Sequence, residues 1–216
     1  MRKYFRILFH HFGPQRWWPA RTRLEVILGA ILTQNTGWLN AARALRQLRM
    51  VGLLKIDPLR KIPAAELALQ IRSAGFYRQK AATIHNFLDW LDAAHAGSLA
   101  RLFARPAEEV RPRLLDVKGI GPETADAILL YAGRKPAFVA DAYTRRILTR
   151  HGLLPPRTSY EAARLFLHQH LPPDHALFNE FHALLVATGK RFCVRNSPRC
   201  DGCPLRPFLP SPRPLD

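Results

Sequence analysis

The chain has 216 residues, 48% of them hydrophobic, with 33 Lys and Arg against 16 Asp and Glu for a formal net charge of +17 at pH 7. That length and apolar content allow one sizeable core or two small lobes sharing a cleft, and exclude a disordered tail. The longest apolar run, Val26 to Leu32, is far below the roughly 20 residues of a membrane-spanning helix, and the charge excess steers the chain toward a polyanion such as nucleic acid. Arg-rich composition can also reflect genome base bias, so charge alone does not decide the partner.

Along the chain, the basic start Met1 to Arg6 is followed by His10 and His11, which interrupt the apolar stretch, and by no small-residue cleavage site. A secretory signal is therefore not expected, and the expected location is the cytoplasm, on the nucleoid in a prokaryote. Arg23 to Thr36 carries Val26, Ile27, Leu28, Ile31 and Leu32 around nearly its whole circumference, the pattern of a central buried helix. Three further stripes have helical spacing: Ile84, Phe87, Leu88 and Leu91; Ala125, Ile128, Leu129 and Ala132; and Leu177, Phe181, Leu184, Leu185 with a polar last member, Thr188. Gly and Pro punctuate the intervals with short connections, and from Pro204 the tail is Pro-rich and irregular. An all-α fold follows.

Between Leu114 and Ile128, one helix is predicted to end before Gly119 and another to begin at Pro122. Gly119 and Gly121 permit the sharp turn around Ile120, and Pro suits a first helical position because its missing donor would be orphaned there. Backbone amides at such a turn can hold a phosphate oxygen without reading sequence, with Lys118 adding charge beside them. A plain helix-turn-helix joint would look the same over these few residues.

Wider context favours the phosphate grip. Leu114 through Asp141 resembles the helix-hairpin-helix and following acidic loop of the endonuclease III superfamily of DNA glycosylases. Ile31 to Thr36 is similar to an early helix end of that family, and Gly75-Phe76-Tyr77-Arg78-Gln79-Lys80-Ala81 to its Gly-x-Tyr-x-x-Lys-Ala segment. The resemblance implies two helical lobes with a DNA-binding cleft: a six-helix barrel over residues 23–132, and a second lobe from residues 1–22 and 133–216. It implies double-stranded DNA containing damaged bases as the partner, with Lys118, Gly119, Ile120, Gly121, Lys80 and Gln34 at the DNA. Gln34 would fill the gap left by a flipped nucleotide, unless it is only a polar helix end.

Asp141 matches the family's essential aspartate. Breaking an N-glycosidic bond builds positive charge on the sugar, which a carboxylate can stabilise while orienting water. Asp141 also stands where a helix N-cap is expected, and the two roles are compatible. Bifunctional members carry a lysine in the first turn after the hairpin, where its amine forms a Schiff base. Here that position is Glu123, which cannot form an imine and suits a helix first turn whether or not it is catalytic. Lys118 or Lys190 could supply an amine, but neither occupies the matching position.

Trp17-Trp18-Pro19 and Gln34 to Trp38 are similar to the 3-methyladenine DNA glycosylase III branch. The likeness implies that Trp18 and Trp38 sandwich an electron-poor alkylated purine, with Trp17 nearby and Lys190 in the pocket. Ordinary packing is the competing use of these tryptophans. Cys193, Cys200 and Cys203 have the spacing of the first three ligands of the family's [4Fe-4S] loop, and Leu209 stands at the fourth. No other cysteine exists, so a four-cysteine cluster is impossible. A cluster with an open corner, a three-iron form, zinc with another ligand, and a metal-free remnant remain, with a remnant or labile cluster preferred.

The reading is a monofunctional glycosylase releasing alkylated purines. Its rivals are a bifunctional glycosylase and lyase for oxidised pyrimidines, and a helix-hairpin-helix DNA-binding protein without turnover.

Overall fold

The computed structural model describes all residues except Arg16, Pro19, Pro212, Arg213, Leu215 and Asp216. It is all-helical, with no strand among the described residues. None of its helices is long and apolar enough to cross a membrane, again among the described residues. The chain forms two compact units, Trp18–Lys135 and a discontinuous one made of Met1–Trp17 with Pro136–Asp216. Trp17 and Trp18 fall on opposite sides of the division.

The continuous unit is organised by α2 (Arg23–Leu32). Every residue of this helix from Leu24 to Leu32 is buried, as its circumferential hydrophobicity predicts. Its one buried charge, Glu25, is paired with Arg49 and accepts the Arg21 amide at 2.9 Å. The helix stops four residues short of Thr36. Thr33 bonds back to the carbonyls of Gly29 (2.8 Å) and Ala30 (3.1 Å), and Asn35 takes a left-handed backbone, so the following residues form a turn. Packed on α2 are α3 (Trp38–Met50), α6 (Tyr77–His95) and α9 (Pro122–Ala127), while α4 (Ile56–Lys61), α5 (Ala64–Gln70) and α7 (Leu99–Ala104) pack on α6 and α8 (Ala107–Leu115) on α9.

The stripe Ala125, Ile128, Leu129 and Ala132 is buried as expected, but the helix changes type within it. From Ile128 to Ala132 it widens into a π turn, closed by the Gly133 amide on the Ile128 carbonyl at 3.0 Å. Such one-residue expansions recur at functional sites.

The second unit contains α1 (Arg2–Phe12), α10 (Ala142–Arg150), α11 (Tyr160–His170) and α12 (His175–Arg191). Helix α12 packs against both α1 and α10. Contact with α10 is close at Gly189, where an added Cβ would stand 2.5 Å from Tyr143 Cδ1. The polar end of the α12 stripe, Thr188, is accommodated by returning its hydroxyl to the Leu184 carbonyl at 2.7 Å.

Candidate active site

The hairpin lies between α8 and α9. Gly119 has φ 98°, and a Cβ there would meet Thr83 Oγ1 at 2.1 Å, so both backbone angle and space demand glycine. Its peptide groups are aimed by two side-chain amides: Asn86 donates to the Lys118 carbonyl at 2.9 Å, and Gln34 donates to the Gly119 carbonyl at 3.0 Å. Carbonyl and N–H point oppositely across a trans peptide, so holding the Lys118 carbonyl inward turns the Gly119 N–H outward. Lys118, Gly119 and Gly121 are exposed.

Three expectations for this surface change. Ile120 is only 4% exposed, and its amide is spent on the Val117 carbonyl at 2.9 Å. It is therefore the hairpin's apolar anchor, not a phosphate contact. Lys80 is 2% exposed, and its ammonium donates to the carbonyls of Leu32 (2.9 Å) and Ala74 (2.7 Å). It closes the C-terminal end of α2 and cannot also reach DNA. Burial pulls its pKa down to about 8. Gln34 acts in this state as a latch, since the same amide also meets Thr124 Oγ1 at 2.9 Å.

Phe76, passed over in the sequence, is 61% exposed and left-handed at φ 46°. A bulky exposed side chain on a strained backbone is a functional signal, and apolar wedges enter base stacks. It precedes the helix that carries Thr83 and Asn86, roughly 10 Å along the axis from Thr83 at 1.5 Å per residue.

In the other unit, Asp141 is the N-cap of α10 and accepts the Thr144 amide through Oδ1 at 2.8 Å. Its Oδ2 lies 3.5 Å from His182 Nε2, with side-chain exposures of 13% for Asp141 and 6% for His182. Burial by itself would raise the Asp141 pKa, but the charge of the facing His182 and the hydrogen bond from the Thr144 amide outweigh it and hold the carboxyl below its ordinary value. Trp17 meets the His182 ring edge-on at 6.4 Å, and Lys190 Nζ lies 5.7 Å from the centre of the Trp17 ring. Asp141, His182, Trp17 and Lys190 thus form one chain of contacts. His182 was missed because nothing near it in sequence marks it; only its place on the inner face of α12 brings it to Asp141.

Further along α10, Arg145, Arg146, Thr149 and Arg150 line a groove of about 290 Å³ with Arg157 and Thr158. Arg146 and Arg150 spend donors on backbone carbonyls of residues 189–195, so the charge that suits phosphate is that of Arg145 and the exposed Arg157. Glu123 is exposed in the first turn of α9.

The expected tryptophan sandwich is not formed. Trp18 and Trp38 touch with centroids 5.3 Å apart and planes at 68°, whereas a base between two parallel faces needs about 7 Å, twice a van der Waals separation. Tyr131, on the π turn, takes the Trp18 face instead, stacked at 4.8 Å and 26°. Trp18 itself is strained at φ 69° and rests on Gly29, where a Cβ would come to 3.0 Å.

Cys193, Cys200, Cys203 and Leu209 line a single small cavity with Arg150, His151 and Phe192. Burial raises the thiol pKa of Cys200 and of Cys203. Arg150 donates to Cys193 Sγ at 3.5 Å and to the carbonyls of Val194 (2.8 Å) and Arg195 (2.6 Å), while Arg146 Nε donates to the Cys193 carbonyl at 2.8 Å. Among the described residues, no three His, Cys, Asp or Glu side chains are grouped to hold a metal ion. Three cysteines cannot supply four thiolates, and Leu209, which lines the same cavity, carries no ligand atom.

Comparison with known proteins agrees with this architecture. Residues 28–173 match the profile of the HhH-GPD superfamily base excision DNA repair proteins. A Methanocaldococcus jannaschii chain named as a candidate DNA repair glycosylase is 39% identical over 208 residues, covering 95% of this chain and 94% of that one. Endonuclease III of Sulfolobus acidocaldarius is 28% identical over 190 residues, covering 88% and 82%. Among solved structures, an endonuclease III trapped covalently on DNA superposes with a TM-score of 0.83 at 22% identity, over 97% of this chain and 93% of that one. The Helicobacter pylori 3-methyladenine DNA glycosylase bound to 1,N6-ethenoadenine superposes with a TM-score of 0.74 at 26% identity, over 87% and 97%. The chain belongs to the helix-hairpin-helix base-excision repair superfamily and is a DNA glycosylase of the endonuclease III-like kind.

Proposed function

We propose that this chain is a monofunctional glycosylase that hydrolyses the N-glycosidic bond of alkylated purines in duplex DNA and leaves an abasic site. The observation that carries the reading is the placement of Asp141: shielded, capped through one oxygen and faced by His182 at the other, which lowers its pKa. That group can stabilise an oxocarbenium-like sugar and orient the attacking water. The exposed carboxylate at Glu123 supports water as the nucleophile, since it cannot become an imine.

Binding is assigned to the outward Gly119 amide, Lys118, Arg145 and Arg157, all sequence-independent phosphate partners. For the lesion, the indoles of Trp18 and Trp38 support an electron-poor ring, and the purine adduct bound by the Helicobacter pylori relative supports a modified purine. Admitting a base beside Trp18 requires Tyr131 or Trp38 to give way. For the cysteine loop, Arg146 and Arg150 already fasten its backbone, which supports a remnant held by protein groups.

A second reading has one observation in its favour: Lys190 is an exposed amine over Trp17, a contact of His182, and could act as a lyase nucleophile. Borohydride trapping on a panel of alkylated and oxidised duplexes decides. Base release with strand breaks only after alkali, and no covalent adduct, is expected. An adduct lost in Lys190→Met would establish the lyase reading instead.

A further inference from the structure

We propose that His182 is a positioning residue for Asp141, holding the carboxylate oxygen that does not cap α10 in register with the sugar of the extruded nucleotide. This rests on the glycosylase reading above and adds a residue that the sequence did not single out.

The two oxygens of Asp141 have different holders. Oδ1 is fixed by a backbone amide of its own helix, at Thr144. Oδ2 faces a side chain from α12, a helix beginning 34 residues later in the chain. A carboxylate fixed only through its cap could still pivot about that bond; a second contact from another helix fixes its plane. Nor is His182 itself loose: the rings of Trp17 and Phe138 both meet it edge-on, at 6.4 and 6.5 Å. Tight packing of Gly189 on Tyr143 keeps α12 and α10 at a set spacing, so the distance from imidazole to carboxylate is a property of the helix pair.

Stability alone gives little reason for such a pair. Burying an imidazole and a carboxylate together costs desolvation that an apolar pair of similar size avoids. What the pair does supply is selection of the ionised acid. Burial pushes Asp141 toward its neutral form, and His182 is first among the groups that oppose it. Two other ionisable groups of this unit belong to the same set of contacts: Lys190, over the Trp17 ring, and Glu180, which accepts the Gln15 amide at 2.6 Å. Neither bonds Asp141, so removing His182 leaves burial opposed chiefly by Thr144.

The test compares His182→Leu and His182→Gln in the full chain. For base release under single turnover, the leucine variant is expected to bind lesion DNA as the parent does, to react about 100-fold more slowly at neutral pH, and to show its acidic limb raised by about 1 to 3 pH units. The glutamine variant, which keeps a donor at similar reach, is expected to recover most of the neutral rate. A leucine variant with the parent's rate and pH profile overturns the proposal. An independent reading is the carboxyl carbon shift of Asp141 by NMR, identified by its loss in Asp141→Asn. It should titrate below the ordinary aspartate range in the parent and above that range in His182→Leu, and an unchanged titration also overturns the proposal. Absence of base release from every lesion tested with the parent chain would instead sink the glycosylase reading, while the titration would still judge the pairing.

Discussion

The hairpin and the Asp141 site are built by opposite means. The hairpin is made of backbone: its geometry comes from glycines and from two side-chain amides that occupy its carbonyls, and its task, gripping a phosphate, is indifferent to sequence. At Asp141 the geometry comes from side chains on helices distant in sequence, and the task depends on one protonation state. A substitution in the first region should therefore alter affinity and folding together, whereas one in the second should alter chemistry with affinity intact.

The largest test of this contrast is Asp141→Asn. Loss of the charge should lower base release by at least about 1,000-fold, the scale of transition-state charge stabilisation, while lesion-DNA affinity stays within about twofold. Equal loss of both would break the comparison. Next is Gly119→Ala, where the new Cβ meets Thr83 and the left-handed backbone is strained. We expect about 2 kcal/mol of destabilisation by denaturant unfolding and roughly tenfold weaker DNA binding, with the intrinsic rate on bound substrate unchanged. Adding Thr83→Ala should restore the part due to the clash but not the part due to φ, which a double-mutant cycle resolves. Smallest at the DNA is Lys80→Met. It orphans the carbonyls of Leu32 and Ala74, costing on the order of 2 kcal/mol, yet the affinity of the folded protein should not change. Weaker DNA binding at full stability would return Lys80 to the interface.

The same contrast explains what could be read from the sequence. Hairpin, acidic loop and cysteine spacing are contiguous, so residue type and interval display them directly. The buried circumference of α2 and the helical stripes were legible because burial follows periodicity. Lys80 was misread because a motif states which residue is present and not which way its ammonium turns. Tyr131 stands between Leu129 and Ala132 of an apolar stripe without belonging to it, so nothing marked it, and its place on the Trp18 face leaves no room there for the expected sandwich. His182 required knowing that α12 lies against the start of α10, a tertiary fact with no local signature.

The π turn at Ile128–Ala132 carries a consequence for how such a chain can diverge. A π turn is equivalent to one residue inserted into an α-helix, and deleting one residue there would restore regular winding. The side chain at Tyr131 would then swing about 100° around the axis, moving off the Trp18 face while the buried anchors on either side could keep their places. A single in-frame codon loss could thus reshape what the aromatic cluster accepts, without any substitution in the hairpin or beside Asp141.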